Sequence, residues 1–441
     1  MPPCVTVLII GAGNRGKNYS SFAVHFASRM KVIGVADPRA FARKHLQEIH
    51  NIDGNNVFDD WRAASEREKL ADAVIIATPD RLHKDPAVAF ANKGYHILLE
   101  KPMAVTPEDC KEIVSACKAN KVMLAVCHVL RYHPTFMKIK VSDTNALISV
   151  TAVSFLWVQV GFWHFAHSFV RGNWRNEAES TFSLLAKSCH DIDLINYWMG
   201  DKRCLKVSSF GRLSHFTHEN KPKGAASRCL DCSAELTCPY SAKKVYLELA
   251  EKGHFGWPVS VVCSNGVYDI ESVTEALRNG PYGRCVYECD NDVLTHQVVN
   301  MEFEGGATAA FTMVAFTETI GTRKTTIHGV KGELSCEGLG PVQLFDFLTR
   351  EKTTHPNNKA GPIPNNLSGH EGADYYLMDS FLSAVANNPF LIQTGPEETL
   401  NSHLLVFEAE KSRKEDRVVS HLDGYLHLEN NPLFGESVIA P

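Results

Sequence analysis

The chain has 441 residues, of which 44% are hydrophobic and 22% charged, and its formal net charge is −5. That length exceeds one ordinary core and implies two domains. The balance excludes long disorder and any general attraction to nucleic acid or an anionic membrane, and no apolar run approaches the ~20 residues that span a bilayer.

Val5–Ile10 opens the chain as an apolar strand, too short for a signal-peptide core. Four further runs, Val32–Ala36, Ala73–Ala77, His96–Leu99 and Val122–Val126, have the length and composition of strands buried on both faces. Helical stretches at Arg15–Arg29, Pro38–His50, Lys84–Lys93 and Pro107–Asn120 separate them. This alternation predicts a doubly wound parallel sheet over residues 1–130.

After Arg131 the pattern changes to longer, half-alternating strands at Leu147–Val158, His296–Phe303, Ala307–Phe316 and Thr325–Gly329, with Glu304-Gly305-Gly306 as a hairpin signal. Ser188–Met199 is the clearest helix here, and helices return at Ala373–Ala386 and Pro396–Lys411. Residues 131–441 are therefore expected to form a substrate-binding α+β domain on a large open, mostly antiparallel sheet. A cysteine-containing insertion near 212–260 starts at the polar His215–Ala226, and Lys352–Gly372 reads as a second long loop. Ser437–Pro441 matches no lipidation or retention signal, and thirteen cysteines, an odd number, read as reduced thiols of a cytoplasmic protein.

Gly11-Ala12-Gly13-Asn14-Arg15-Gly16 follows the first strand directly and opens a helix. In this G-x-G-x-x-G pattern the glycines allow a tight turn and close approach of a pyrophosphate, while the helix start supplies N–H donors. Asp37 ends the second strand at the distance expected for a ribose ligand and would repel a 2′-phosphate, favouring NAD over NADP. The reading is a Rossmann dinucleotide site.

Ala77-Thr78-Pro79-Asp80 with His83, and Glu100-Lys101-Pro102, end the next two strands. Together with the glycine loop and Cys189-His190-Asp191-Ile192-Asp193, they resemble the Gfo/Idh/MocA oxidoreductases. The resemblance implies an NAD(P)-dependent enzyme whose cofactor lies against Thr78, Pro79, His83, Glu100 and Lys101, at the carboxyl ends of the strands. Lys101 would hydrogen-bond a substrate hydroxyl and stabilise developing alkoxide charge. His128 stands where the family often has asparagine and is read as lining the pocket.

By the same resemblance His190 is the general base, normally held by an aspartate four residues earlier. Here that position is Ala186, so Lys187 becomes an alternative proton acceptor. Lys187, His190 and Asp193, spaced three apart, are read as sharing one helical face, with Asp193 toward the substrate. Trp163, His164, Arg171, Trp174 and Arg175 supply the aromatic planes and donors that polyhydroxylated ligands need, and Tyr287 and His296 are added to the pocket.

Cys229, Cys232 and Cys238 have C-x-x-C spacing plus a third thiol. With a fourth ligand such as His215 or His218 they would suit zinc. Packed free thiols are the preferred reading, and no metal is assigned.

The functional expectation is an NAD-dependent oxidoreductase acting on a secondary hydroxyl of a sugar, cyclitol or sugar derivative, working as a homo-oligomer. Its alternative is a redox-neutral, NAD-dependent glycoside hydrolase working through transient ring-hydroxyl oxidation and elimination. A third reading, a non-catalytic NAD sensor, has no use for Lys101 and His190.

Overall fold

The computed structural model describes residues 3–144, 150–263, 266–356 and 363–421. Six parallel strands form the first sheet: β1 (Val5–Ile10), β2 (Met30–Ala36), β3 (Val57–Phe58), β4 (Ala73–Ile76), β5 (His96–Leu99) and β6 (Leu124–Val126). Their order is β3-β2-β1-β4-β5-β6, so the chain reverses direction across the sheet beside β1, where a crevice opens at the strand ends. All four residues of β4 are buried, as a sheet covered on both faces requires. The two-residue β3 was too short to carry a pattern. The expected Arg15–Arg29 helix is two pieces, Asn14–Ser20 and Phe22–His25.

The second sheet has nine strands in the order β14-β13-β12-β11-β7-β10-β9-β8-β15. They are β7 (Val150–Gln159), β8 (Cys204–Arg212), β9 (His296–Phe303), β10 (Thr308–Val314), β11 (Arg323–Gly329), β12 (Gly332–Glu337), β13 (Val342–Asp346), β14 (Lys352–His355) and β15 (Val419–Ser420). Only β10 with β7 is parallel among these neighbours; the other pairs are antiparallel. Residues 147–149 of the expected first strand lie outside the described residues. Gly305 and Gly306 turn the β9–β10 hairpin with φ of 74° and 77°. The Lys352–Gly372 segment is not all loop, because β14 opens it and adds an edge strand to β13.

Helices Ser183–Met199 and Pro396–Glu415 cover one face of this sheet. The latter also enters the first domain: Leu400 and Leu404 join its core, and the backbone N–H of Met103 donates to Nε2 of His403. The inserted segment between β8 and β9 runs from Leu213 to Thr295 and has a small core of its own around Tyr246, Val259 and Leu277. It reaches back across the cleft. Trp257 packs on Trp163 and His164, and Gly266 lies against Phe41 of the first domain.

Candidate functional site

At the end of β1, Gly11 has φ 93°, and a Cβ there would stand 2.5 Å from the carbonyl oxygen of Ala77. A Cβ on Gly16 would stand 1.9 Å from the carbonyl oxygen of Gly11. Gly13 faces open space, with Arg39 at 3.6 Å its nearest neighbour. Two glycines therefore let the helix start approach the strands, and the third leaves room for phosphate; the loop fits a dinucleotide. Asn14 is exposed at the helix start.

Asp37 is 4% exposed and engaged on both oxygens. Ala12 N–H donates to Oδ2 at 2.7 Å, while Arg39 donates its backbone N–H and Nε to Oδ1, each at 2.9 Å, and Nη2 to Oδ2 at 2.8 Å. Burial alone would raise its pKa, but these donors and the Arg39 charge hold it below the usual carboxylate value. The Arg39 guanidinium extends outward over Phe41.

The loops after β4 and β5 are tied by His83, whose ring nitrogens face the carbonyls of Pro102 (2.7 Å) and Thr78 (2.9 Å). His83 is wholly buried, so it positions the loops from behind. Thr78 caps its own turn by donating to the Leu82 carbonyl, and Pro79 starts that turn. Glu100 accepts from Arg15 Nε at 2.6 Å, from the Tyr19 hydroxyl at 2.7 Å and from the Lys101 N–H at 2.9 Å. Arg15, read from the motif as a cofactor residue, is spent on protein: besides Glu100 it forks onto Asp374 at 2.6 and 3.0 Å, joining the two domains.

Lys101 Nζ donates to the carbonyl oxygen of Ala186 at 2.6 Å and lies 5.6 Å above the Trp174 ring. Trp174 is in turn anchored by its indole N–H to Asp80. The backbone of residue 186 thus receives Lys101 where the family's aspartate would stand, and His190 follows one turn along the same helix. Nδ1 of His190 is 3.4 Å from Nδ1 of His128, and its ring centroid is 6.0 Å from that of His370. Burial first, then Lys101, His128, His370 and Arg323, push the His190 pKa well below the ordinary imidazole value. His128 is likewise pushed down to about 3, chiefly by burial.

Lys187 is half-buried, and its ammonium makes no hydrogen bond or ion pair with the described residues. Burial, then the charges of Arg323 and Lys101, lower its pKa to about 7. His164 sits near it, lowered to about 3 by burial first and the Lys187 charge second.

Several expected ligand residues are engaged elsewhere. Asp193 is fully buried, and its carboxylate is clamped by Arg131 Nε and Nη2 at 2.6 and 2.7 Å. The reason is rotational: a three-residue step turns ~300°, so two steps leave residues 187 and 193 ~120° apart. Arg171 is buried and donates to the carbonyls of Arg284 and Tyr240, inside the insertion. Arg175 is held by Asp290 and Glu179. Tyr287 is buried in the main core and pairs its hydroxyl with His215, His296 Nδ1 neighbours Thr295, and Trp163 packs at a tilt on Trp257.

His370 and Asp374 escaped the sequence reading. Nδ1 of His370 is 2.9 Å from Asp374 Oδ1, and His370 and Glu371 both have positive φ, 51° and 55°. A histidine and an aspartate four apart were the available signal, but His370 sits in the segment that read as loop and Asp374 in the first turn of the helix that follows it. Arg323, bonded to Asp191 at 2.6 Å, was equally silent because it opens a strand.

A glycine-rich strand-to-helix turn, a buried acidic residue after β2 and a lysine facing a second-domain helix define a dinucleotide-dependent oxidoreductase. Comparison makes this specific. Residues 5–128 match the model of the oxidoreductase family with NAD-binding Rossmann fold, GFO_IDH_MocA, and residues 156–420 match that family's C-terminal alpha/beta domain. The chain belongs to the Gfo/Idh/MocA oxidoreductase family.

YteT of Bacillus subtilis (strain 168), named as an oxidoreductase, is 24% identical over 392 residues, covering 84% of this chain and 87% of YteT. The 2,7-anhydro-N-acetylneuraminate hydratase of Escherichia coli (strain K12) is 24% identical over 282 residues, 62% of this chain and 69% of that protein. Among solved structures, a levoglucosan dehydrogenase in complex with NADH shares the fold at a TM-score of 0.67 and 16% identity, over 94% of this chain and 98% of that one. No helix of the described residues is long and apolar enough to cross a membrane.

Proposed function

We propose that the enzyme oxidises a secondary hydroxyl of a sugar, cyclitol or sugar derivative with NAD, using Lys187 as proton acceptor and Lys101 as the hydroxyl's hydrogen-bond donor. The observation that carries this reading is the Lys187 amine, without a hydrogen-bond or ion-pair partner among the described residues and lowered to about 7, on the helix turn that also receives Lys101. Bound NAD supplies the hydride acceptor. The chain's residues do the rest. Lys101, fixed by Ala186 and covered by Trp174, donates to the substrate oxygen and stabilises its growing negative charge. Lys187 takes the hydroxyl proton. His190, held neutral by burial and surrounding cations, orients the hydroxyl through its ring nitrogen.

Asp37 supports NAD over NADP, because a 2′-phosphate would meet a buried carboxylate. Asp37→Ser is expected to narrow the NAD preference in kcat/KM. Thirteen unpaired thiols suit a reducing cytoplasm, and the open sheet face, with Phe210 and Phe345 exposed, suits pairing with a second copy.

One observation favours the redox-neutral alternative: the His370–Asp374 pair places a second proton-handling group beside His190, as an elimination with a leaving group requires. Purified enzyme should be incubated with NAD and a panel of free polyols and glycosides. Net NADH formation from polyols supports the dehydrogenase; aglycone release without net NADH supports the glycosidase. Nucleotide binding with no turnover of any class would overturn both.

A further inference from the structure

Outside the cleft, four thiols of the insertion share one cavity. Cys229, Cys232, Cys238 and Cys285 line one small pocket, partly open to solvent, together with Arg171, Arg228 and Glu235. The first three come from two successive tight turns, Cys229–Asp231 and Glu235–Thr237. The fourth arrives from beyond the Ile270–Asn279 helix, held by Cys285 N–H donating to Ser227 O at 2.8 Å and by a bridge between Arg228 and Arg284. His215 and His218 are not among the lining residues: His215 bonds Tyr287, and His218 is exposed.

Arg171 gives the second observation. It is 1% exposed, its Nη2 lies 3.3 Å from Cys229 Sγ, its charge faces the Tyr246 hydroxyl, and its buried Nη1 has no hydrogen-bond partner of good geometry among the described residues. Its hydrogen bonds run to two carbonyls and that sulfur, and no carboxylate of the described residues lies within ion-pair distance of it. The Nε atoms of Arg228 and Arg284 are also buried without partners. A buried cation needs a counter-charge, and neutral thiols supply none. Thiolates on a metal do.

We propose that Cys229, Cys232, Cys238 and Cys285 hold a structural four-thiolate centre for a thiophilic metal, with Arg171 as its counter-ion. This replaces the expectation of packed free thiols. As four S–metal bonds form, to zinc or to an iron–sulfur unit delivered already assembled, four S–H protons leave to solvent and no electron moves. Zinc and an iron–sulfur unit share this ligand chemistry. Among the described residues no three ligands already surround a single-ion point, so the thiols would have to close on a single zinc, and either group would supply a cationic centre held by the four sulfurs.

The test uses the full chain, purified anaerobically without chelator and assayed for zinc, iron and acid-labile sulfide. About one zinc per chain, or iron and sulfide in equal amounts, is expected. Cys232→Ser and Cys285→Ser should each lower that content at least ~5-fold, with Cys4→Ser, an exposed thiol far away in sequence, as the unaffected control. Should Cys285→Ser fail to fold, native thiol counting of the wild type decides, because chelation should expose four further reactive thiols. A chain that holds and takes up neither metal, a disulfide among these cysteines, or metal retained in both variants would overturn the assignment.

Discussion

Replacing Lys187 by arginine keeps the positive charge and most of the side-chain volume but removes the ability to lose a proton near neutrality. An ordinary lysine, with a pKa of ~10.4, has roughly 0.0004 of its amine unprotonated at pH 7. Lowered to about 7, Lys187 has about half. Burial and the Arg323 and Lys101 charges therefore raise the available base about a thousandfold. Because the base is the deprotonated form, kcat/KM should rise with pH and level off above an inflection near 7. Lys187→Arg should lose that acid limb together with ~10²–10⁴-fold in kcat/KM. Stopped-flow NADH formation across pH, with a deuterated substrate to confirm that hydride transfer is observed, checks it. A Lys187→Arg enzyme that retains both the inflection and the rate would refute the reasoning and return the proton to His190 or His370.

Other outcomes follow from the same contacts. Gly13→Ala has free space for its methyl group and should leave Tm unchanged while weakening NAD binding, whereas Gly16→Ala meets a backbone oxygen and should lower both; calorimetric titration and thermal melts separate them. Asp193→Asn breaks a buried two-pronged pair with Arg131 and should cost about 3–5 kcal/mol in urea unfolding. Asp374, buried first of all, is nonetheless held well below the ordinary carboxylate value by Arg15 and His370. Its folded proton affinity is lowered, so its contribution is complete above ~pH 4 and drains away as the pH falls further. Asp374→Asn should abolish that part of the acid sensitivity, read from urea midpoints between pH 7 and pH 3.

The first domain was legible because its buried strands are mostly apolar and the glycine loop has a geometric reason at every fixed position. Val5–Ile10 and His96–Leu99 end where expected. In the second sheet the signal thinned. β8 buries Ser209, whose backbone N–H bonds Ser412, so its inward face does not read as apolar. β12 buries Leu334 and Cys336 in only six residues, too few for alternation to stand out. At the site, the strand ends gave a local signal for the glycine loop, Asp37 and Lys101, but even there Arg15 and His83 turn to protein partners, and residues whose role depends on distant partners gave no local signal. Arg171 has the chemistry of a sugar ligand but meets carbonyls contributed by residues 240 and 284. His370 and Arg323 reach the Ser183–Met199 helix from far along the chain, and no local spacing announces that.

The insertion touches both ends of the cleft, at His164 near Lys187 and at Phe41 beneath Arg39. Because a single segment meets both ends, a substitution that loosens it, such as Trp257→Ala, is expected to disturb the two contacts together.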